Sequence, residues 1–425
     1  MILDPASLAS RLRLLRAQAG LAGAEAMPGA GAALDWNARV ESLRAAQRVR
    51  ESARIAAESA LPGVEVARGV RCIRWAQAGL PAPPARLPWE PAAADGPLLL
   101  LDTETTGLAG GSGTLVFLLA LARWQGERLE LEQWLLTAPS AEAAWIDAWQ
   151  ASVPTAHTLV SYNGRAFDLP LLAARQRLSR RADRFLARPH WDLLAPVRRA
   201  FGSRWADCRL ATAERKLLGL ERVDDLPGAF APAAWLAYLR HGETARLREA
   251  IAHNRQDVLT LARLLPALMR VHAEPEAHDA DGAALARRLL QCGEREAALA
   301  VLERTPGEAA ALARARALRR DGRPREALAA LEGTAGAERS APILEAMAKL
   351  HEHVLREPAQ AQAVATRLLA LEPEAMRHAR RLARLQRRIE TPAPKRPARD
   401  GGFKRTGPLE VAGKRRPREG NSQTV

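Results

Sequence analysis

Asp102 and Glu104, two positions apart, follow directly on Leu98, Leu99, Leu100 and Leu101. The unbroken apolar run after Pro97 predicts a strand buried on both faces, with the acidic pair at its exit. Side chains alternate along a strand, so both carboxylates project to one side, a costly arrangement unless a cation stands between them. Asp168 comes after a strand-like stretch, 158–162, and the turn pair Asn163-Gly164, where a helix should begin; alone it reads as a cap or a dipole partner. His253 and Asp257 are four apart, on one face of a helix whose apolar stripe is Leu247, Ile251, Val258, Leu261, Leu265 and Leu268. Alone they read as a hydrogen-bonded pair. Together, Asp102, Glu104, Asp168 and Asp257 make an all-oxygen set of the kind that hard Mg²⁺ or Mn²⁺ prefers. Two such ions activate water and stabilise a leaving oxygen in phosphoryl transfer. His253 is placed to take the proton of that water.

The elements that must position these groups are legible around them. Residues 98–101, 115–124 and 129–136 read as three successive strands, 141–149 as a helix, and 158–162 as a strand embedded among helices. That order predicts a mixed sheet with helices on its faces. The segment 1–94 carries no chemical signature and ends in a proline-dense stretch, 80–88, which reads as an extended linker. After about residue 275 the pattern becomes helical. The stretches 292–303 and 321–332 are near copies, with Gly293 and Gly322 aligned, and a degenerate third unit ends at Pro373. This resembles tetratricopeptide repeats, without their usual Trp and Tyr positions; an Ala-rich helical bundle is the plainer alternative. Residues 391–425 hold nine Lys or Arg against three Asp or Glu and few apolar groups, so a disordered basic tail is expected that either binds phosphates or solubilises the chain.

The whole chain of 425 residues carries a formal charge of +15, which favours a polyanionic partner. Its three cysteines, Cys72, Cys208 and Cys292, are too scattered for a disulfide framework or a zinc site and point to a reducing compartment. The first 17 residues lack the apolar core of a signal peptide, and the longest apolar stretch, 114–122, is too short to span a bilayer, so a cytoplasmic protein with no membrane association is expected.

The motifs Asp102-Thr-Glu104-Thr-Thr-Gly107, Tyr162-Asn-Gly-Arg-Ala-Phe-Asp168-Leu-Pro170 and His253-Asn-Arg-Gln-Asp257 resemble the three exonuclease motifs of the DEDD superfamily, on a ribonuclease H-like fold. The stretches 190–194, 208–219 and 225–228 narrow the resemblance to a bacterial YprB-like branch. It covers residues 95–270 and implies a mixed five-stranded sheet flanked by helices; the tetratricopeptide-like repeats read from the near-copied stretches span 280–390. It also implies metal-dependent hydrolysis of nucleic acid from the 3′ end, using two Mg²⁺ or Mn²⁺ held by Asp102, Glu104, Asp168 and Asp257. His253 departs from the pattern, in which a Tyr stands four residues before the last Asp or a His five before it. It is either the base, an orienting partner of Asp257, or a contact to the scissile phosphate.

Thr105, Asn163 and Arg165 are the candidate substrate contacts, DNA or RNA with a single-stranded end being the expected substrate. Gly110 to Gly113 read as a flexible hairpin, Asp192 as a helix cap, and Tyr162 and Phe167 as packing residues that could instead stack a base. Two other functions fit the same residues. One is a nucleic-acid-binding scaffold with little catalysis, whose repeats recruit a protein partner; the other is an endonucleolytic hydrolase.

Overall fold

The computed structural model describes residues 41, 42, 44, 45, 60–91, 94–107, 113–222 and 226–391. The expected 391–425 tail beyond Thr391, the first 17 residues, Gly110 to Ser112 and Asp225 lie outside the described residues. The chain divides into two compact units, one ending at Arg288 and the other starting at Leu289.

The first unit is built on a mixed sheet of seven strands in the order β1-β2-β5-β4-β3-β6-β7. These are β1 (Val64–Ala67), β2 (Val70–Ala78), β3 (Leu98–Thr105), β4 (Val116–Gln125), β5 (Arg128–Leu136), β6 (Thr158–Ser161) and β7 (His190–Asp192). Only β3-β6 and β6-β7 pair in parallel. Five strands were expected. The two additional ones, β1 and β2, come from the stretch read as an unmarked N-terminal region, and β2 pairs with β5 along its whole length, from Val70 opposite Leu136 to Ala78 opposite Arg128. Their signal is weak because β1 and the outer half of β2, from Arg74 on, are largely exposed, so no buried face imposes an alternation on them. The proline-rich stretch is not a free linker at its end: Trp89 is fully buried, stacked on His272 at 3.7 Å, and its carbonyl accepts from Arg288 Nε.

β3 sits inside the sheet as its leucines require. Leu99 and Leu101 enter one core with Phe117, Trp145, Trp149 and Trp235, while Leu98 and Leu100 enter the other with Val160, Trp191, Val258 and Leu261. The helices of this unit are α1 (Glu142–Ser152), α2 (Asp168–Leu178), α3 (Leu194–Phe201), the single turn α4 (Leu210–Ala213) continuing into a π-helical turn (Glu214–Leu218), α5 (Ala231–His241) and α6 (Ala245–Ala273). The 29-residue α6 crosses from one core to the other. Leu247 and Ile251 pack in the first, Val258, Leu261 and Leu265 in the second, and His253 to Asp257 lie at the crossing.

A helix at 282–291 (α7) precedes the helices of the second unit: α8 (Arg295–Arg304), α9 (Glu308–Arg320), α10 (Pro324–Glu332), α11 (Ala341–Lys349), α12 (Pro358–Leu371) and α13 (Met376–Glu390). The two near-copied stretches fold alike. Gly293 and Gly322 both take a positive φ, 83° and 74°, in the tight turn before the next helix, a conformation a side chain would strain. Leu299, Leu318, Leu328, Ile343, Leu344 and Leu368 close a core among these helices.

Candidate metal-binding site

Asp102 and Glu104 fall inside β3, which runs on to Thr105, so they stand in the strand rather than beyond its exit. Both share the parity of Leu98 and Leu100, and a register shift between Glu104 and Thr105 marks where regular pairing with β4 ends. Thr103 has the opposite parity, toward α2, and its hydroxyl donates to Asp168 Oδ1. Asp168 is the first residue of α2. The acidic set therefore gathers round the end of one strand, two members from one face and a third from the helix on the other.

The turn carrying Asp168 is held tightly. Asn163 takes a φ of 66°, as the turn pair suggested. Asp192, at the end of β7, accepts from the backbone N–H groups of Asn163 (2.8 Å), Arg165 (3.1 Å) and Leu194 (3.1 Å). Leu193, not Asp192, holds the cap position of α3; Asp192 accepts from the helix's first N–H from one residue further back and also fixes the Asp168 turn. At Gly164 a Cβ would lie 2.3 Å from Ser161 Oγ and 3.2 Å from Asp168 Oδ2, so only glycine lets the chain pass. Arg165 donates from Nη2 to the His190 carbonyl at 2.9 Å, which gives its guanidinium a partner inside the protein. Thr105 Oγ1 donates to the Gly107 carbonyl at 3.0 Å.

From the other side, α6 brings three polar residues to the same place. Asn254 Nδ2 donates to Asp102 Oδ2 at 2.7 Å, and Asn254 Oδ1 accepts from Gln133 Nε2 at 2.9 Å. Gln133 Nε2 also donates to the Ile251 carbonyl at 2.7 Å, and Gln133 Oε1 accepts from Trp75 Nε1 at 3.0 Å. Gln133 and Asn254 are fully buried, so this chain from β2 to Asp102 has no water to fall back on. Sequence reasoning missed both residues, although each left a mark. Gln133 interrupts the alternating series Leu129, Leu131, Leu135, and Asn254 falls on the apolar stripe between Ile251 and Val258.

His253 Nε2 lies 3.6 Å from Asp257 Oδ2 and 4.0 Å from Glu104 Oε1. On its other edge, Nδ1 faces Arg222 Nη1 at 3.2 Å. A guanidinium only donates, so Nδ1 accepts, and the proton of a neutral ring sits on Nε2, toward the carboxylates. Arg222 Nη2 also donates to Asp257 Oδ1. Glu214 grips the same guanidinium, accepting from Nε at 2.6 Å and Nη2 at 2.9 Å. Arg222 and Glu214 sit in irregular or π-helical segments, where periodicity gives no cue.

The electrostatics record the crowding. Burial, then the charges of Asp257, Asp168 and Glu104, push the Asp102 carboxyl well above its ordinary range. Burial lifts Asp168 to about 6 against the pull of the Thr103 hydroxyl. Asp257 is also raised by burial, opposed by His253 and Arg222. Hard oxygen donors under mutual repulsion are the chemistry a divalent cation would relieve, so the donor set fits such an ion. Among the described residues, no group of three or more acidic, His or Cys side chains is drawn together as a formed ion site. Asn254, Thr103 and Arg222 each hold one of the carboxylates instead.

A cavity of about 410 Å³ opens beside Asp102 and Asp168, lined also by Thr105, Asn163 and Phe167. Phe167 is 52% exposed, against the expectation that it packs inward. Tyr162 packs against the second core and donates to the Cys208 carbonyl at 2.5 Å. A second cavity, on the far side of the set, is lined by His253, Asp257, Arg209, Arg215 and Arg222.

Among the described residues, no helix is long and apolar enough to cross a membrane. Residues 99–269 match the family model of the RNase_H superfamily. The chain is also 36% identical over 215 residues to the uncharacterized protein YprB of Bacillus subtilis (strain 168), covering 49% of this chain and 51% of that one. It thus spans about half the length of this curated relative. The sheet, its helices and the family match agree that residues 99–269 form a ribonuclease H-like domain.

Proposed function

We propose that the protein is a metal-dependent nuclease that hydrolyses phosphodiester bonds by a two-ion mechanism and removes nucleotides from the 3′ end. The observation that carries this reading is the convergence of Asp102, Glu104, Asp168 and Asp257, from three separate stretches, closely enough for Asp102 to feel the other three charges. These four carboxylates would hold the ions, Mg²⁺ or Mn²⁺. When bound, the ions would supply charge for the attacking water and the leaving oxygen.

The remaining roles belong to the chain. Asn254, fixed by Gln133, holds Asp102 through Oδ2 and so sets how its carboxylate presents its oxygens. Asp192 and Gly164 set the turn from which Asp168 projects. His253 takes the proton of the attacking water through Nε2, which requires the ring proton to shift to Nδ1 and Arg222 to withdraw from it. Phe167, exposed at the rim of the cavity beside Asp102, offers a face on which a terminal base stacks, and Thr105 and Asn163 line the same cavity. The helical unit is read as tetratricopeptide-like repeats that engage a protein partner.

The test is cleavage of 3′-labelled and 5′-labelled single and double strands of DNA and RNA, with Mg²⁺, Mn²⁺ or chelator. Mononucleotide release from 3′ ends is expected, abolished by chelator, Asp102→Ala or Asp257→Ala, and slowed roughly 10²-fold by His253→Ala. Cleavage that survives both aspartate substitutions would sink the site assignment. Tight binding with no cleavage under any condition would leave the scaffold reading.

A further inference from the structure

Arg222 is the feature that the nuclease reading leaves unexplained. Its guanidinium touches Asp257, Glu214 and His253 at once. Glu214 is 1% exposed and also accepts from the Thr260 hydroxyl, so it is a fixed anion in the protein interior. The fork of Arg222 faces Glu214 through Nε at 2.6 Å and Nη2 at 2.9 Å, and Nη2 also reaches Asp257. Burial works against the charge on Arg222, but the hydrogen bonds to Glu214 and the charge of Asp257 more than offset it. The other carboxylates with a named donor are held by neutral groups, Asn254 on Asp102 and Thr103 on Asp168, which leave the negative charge in place. Arg222 alone of these three donors brings a full positive charge. A divalent ion at Asp257 meets that charge as a competitor.

We infer that Arg222 is an internal counter-ion that stands on Asp257 in the absence of metal and yields it to a divalent cation, with Glu214 as the anion that retains the guanidinium after the exchange. This rests on the reading of Asp257 as a ligand. The exchange needs no unfolding. Arg222 swings toward Glu214, which retains it, and gives up Asp257 and the Nδ1 of His253 together. The device offsets part of the negative charge of the acidic set when no ion is bound, and it weakens ion binding by the cost of displacing the guanidinium.

The test is calorimetric titration of Mn²⁺ into the chelator-treated full chain, comparing the wild type with Arg222→Gln, Glu214→Gln and the double variant. Removing the competitor should tighten Mn²⁺ binding roughly tenfold. Glu214→Gln should weaken binding, because Arg222 then has no anion but Asp257 to turn to. The double variant should again bind more tightly than wild type, and it carries no orphaned buried carboxylate, which keeps the test open if Arg222→Gln does not fold. A merely supporting role predicts a loss of roughly 10- to 100-fold in all three, the opposite sign for Arg222→Gln and the double variant. Weaker or unchanged binding by both Arg222→Gln and the double variant overturns the inference. Wild type that binds no Mn²⁺, or binds it no better than Asp102→Asn and Asp168→Asn do, overturns the metal reading itself, and the exchange falls with it.

Discussion

Replacing Asp168 with Asn should make the metal-free protein more stable, and only above mildly acidic pH. The carboxyl is lifted from an ordinary 3.8 to about 6, chiefly by burial. At about 1.4 kcal/mol per unit, a shift of this size corresponds to about 3 kcal/mol. The sign follows from which state holds the proton. Below about pH 4 both folded and unfolded chains are protonated at this position and the burial cost is absent. Between about pH 4 and 6 the unfolded chain loses its proton first, so stability falls as pH rises, and above about pH 6 the full penalty is in force. Asparagine keeps an oxygen for the Thr103 hydroxyl and removes the charge. Urea unfolding of chelator-treated wild type and Asp168→Asn should therefore give nearly equal stabilities near pH 4 and a variant more stable by up to about 3 kcal/mol at pH 8. Saturating Mn²⁺ should stabilise the wild type and leave the variant behind. A variant that is destabilised equally at both pH values would refute the argument, because Asp168 would then be a structural acid satisfied by its turn.

Two further outcomes follow from the buried polar groups. Gln133→Leu keeps the volume but strands Asn254 Oδ1 without its donor and takes a second donor from the Ile251 carbonyl, so urea unfolding should show a loss of roughly 1–3 kcal/mol together with slower cleavage; a loss under about 0.5 kcal/mol would mean the chain to Asp102 carries no weight. His272, buried against Trp89, has its pKa lowered to about 4 by burial, so it favours the fold fully above about pH 6.5 and that contribution, up to about 3 kcal/mol, drains away as pH falls toward 4; His272→Phe should flatten this part of the stability profile in thermal melts from pH 4 to 7.

The candidate carboxylates were easier to read than the residues that hold them. Asp102, Glu104, Asp168 and Asp257 stand out because charge at the edge of an apolar element is improbable without a reason. The central strands were legible from their unbroken or alternating apolar runs. β1 and β2 were not, since a ribbon at the sheet edge whose outer half is exposed shows no buried-face alternation. Gln133 and Asn254 could have been found as polar breaks in apolar series. Arg222 and Glu214 could not, because their pairing spans an irregular loop and a π-helical turn whose proximity only the fold creates. Phe167 was misjudged for a related reason: its exposure is set by the turn that Asp192 pins, and an aromatic ring in a sequence carries no label for which way its turn will face it.

The hydrogen-bonded chain from Trp75 through Gln133 and Asn254 to Asp102 bears on what counts as the inherited unit of this protein. The motifs, and the family match that begins at residue 99, would draw the catalytic module without β2. Cutting there would uncover the edge of β5 and remove the indole that orients Gln133. Transplanting the four carboxylates on the motif-bearing piece alone would carry the reagents without the brace that aims one of them. A fragment meant to keep this chain intact must begin early enough to include β1 and β2, and homologues should be compared over that longer span.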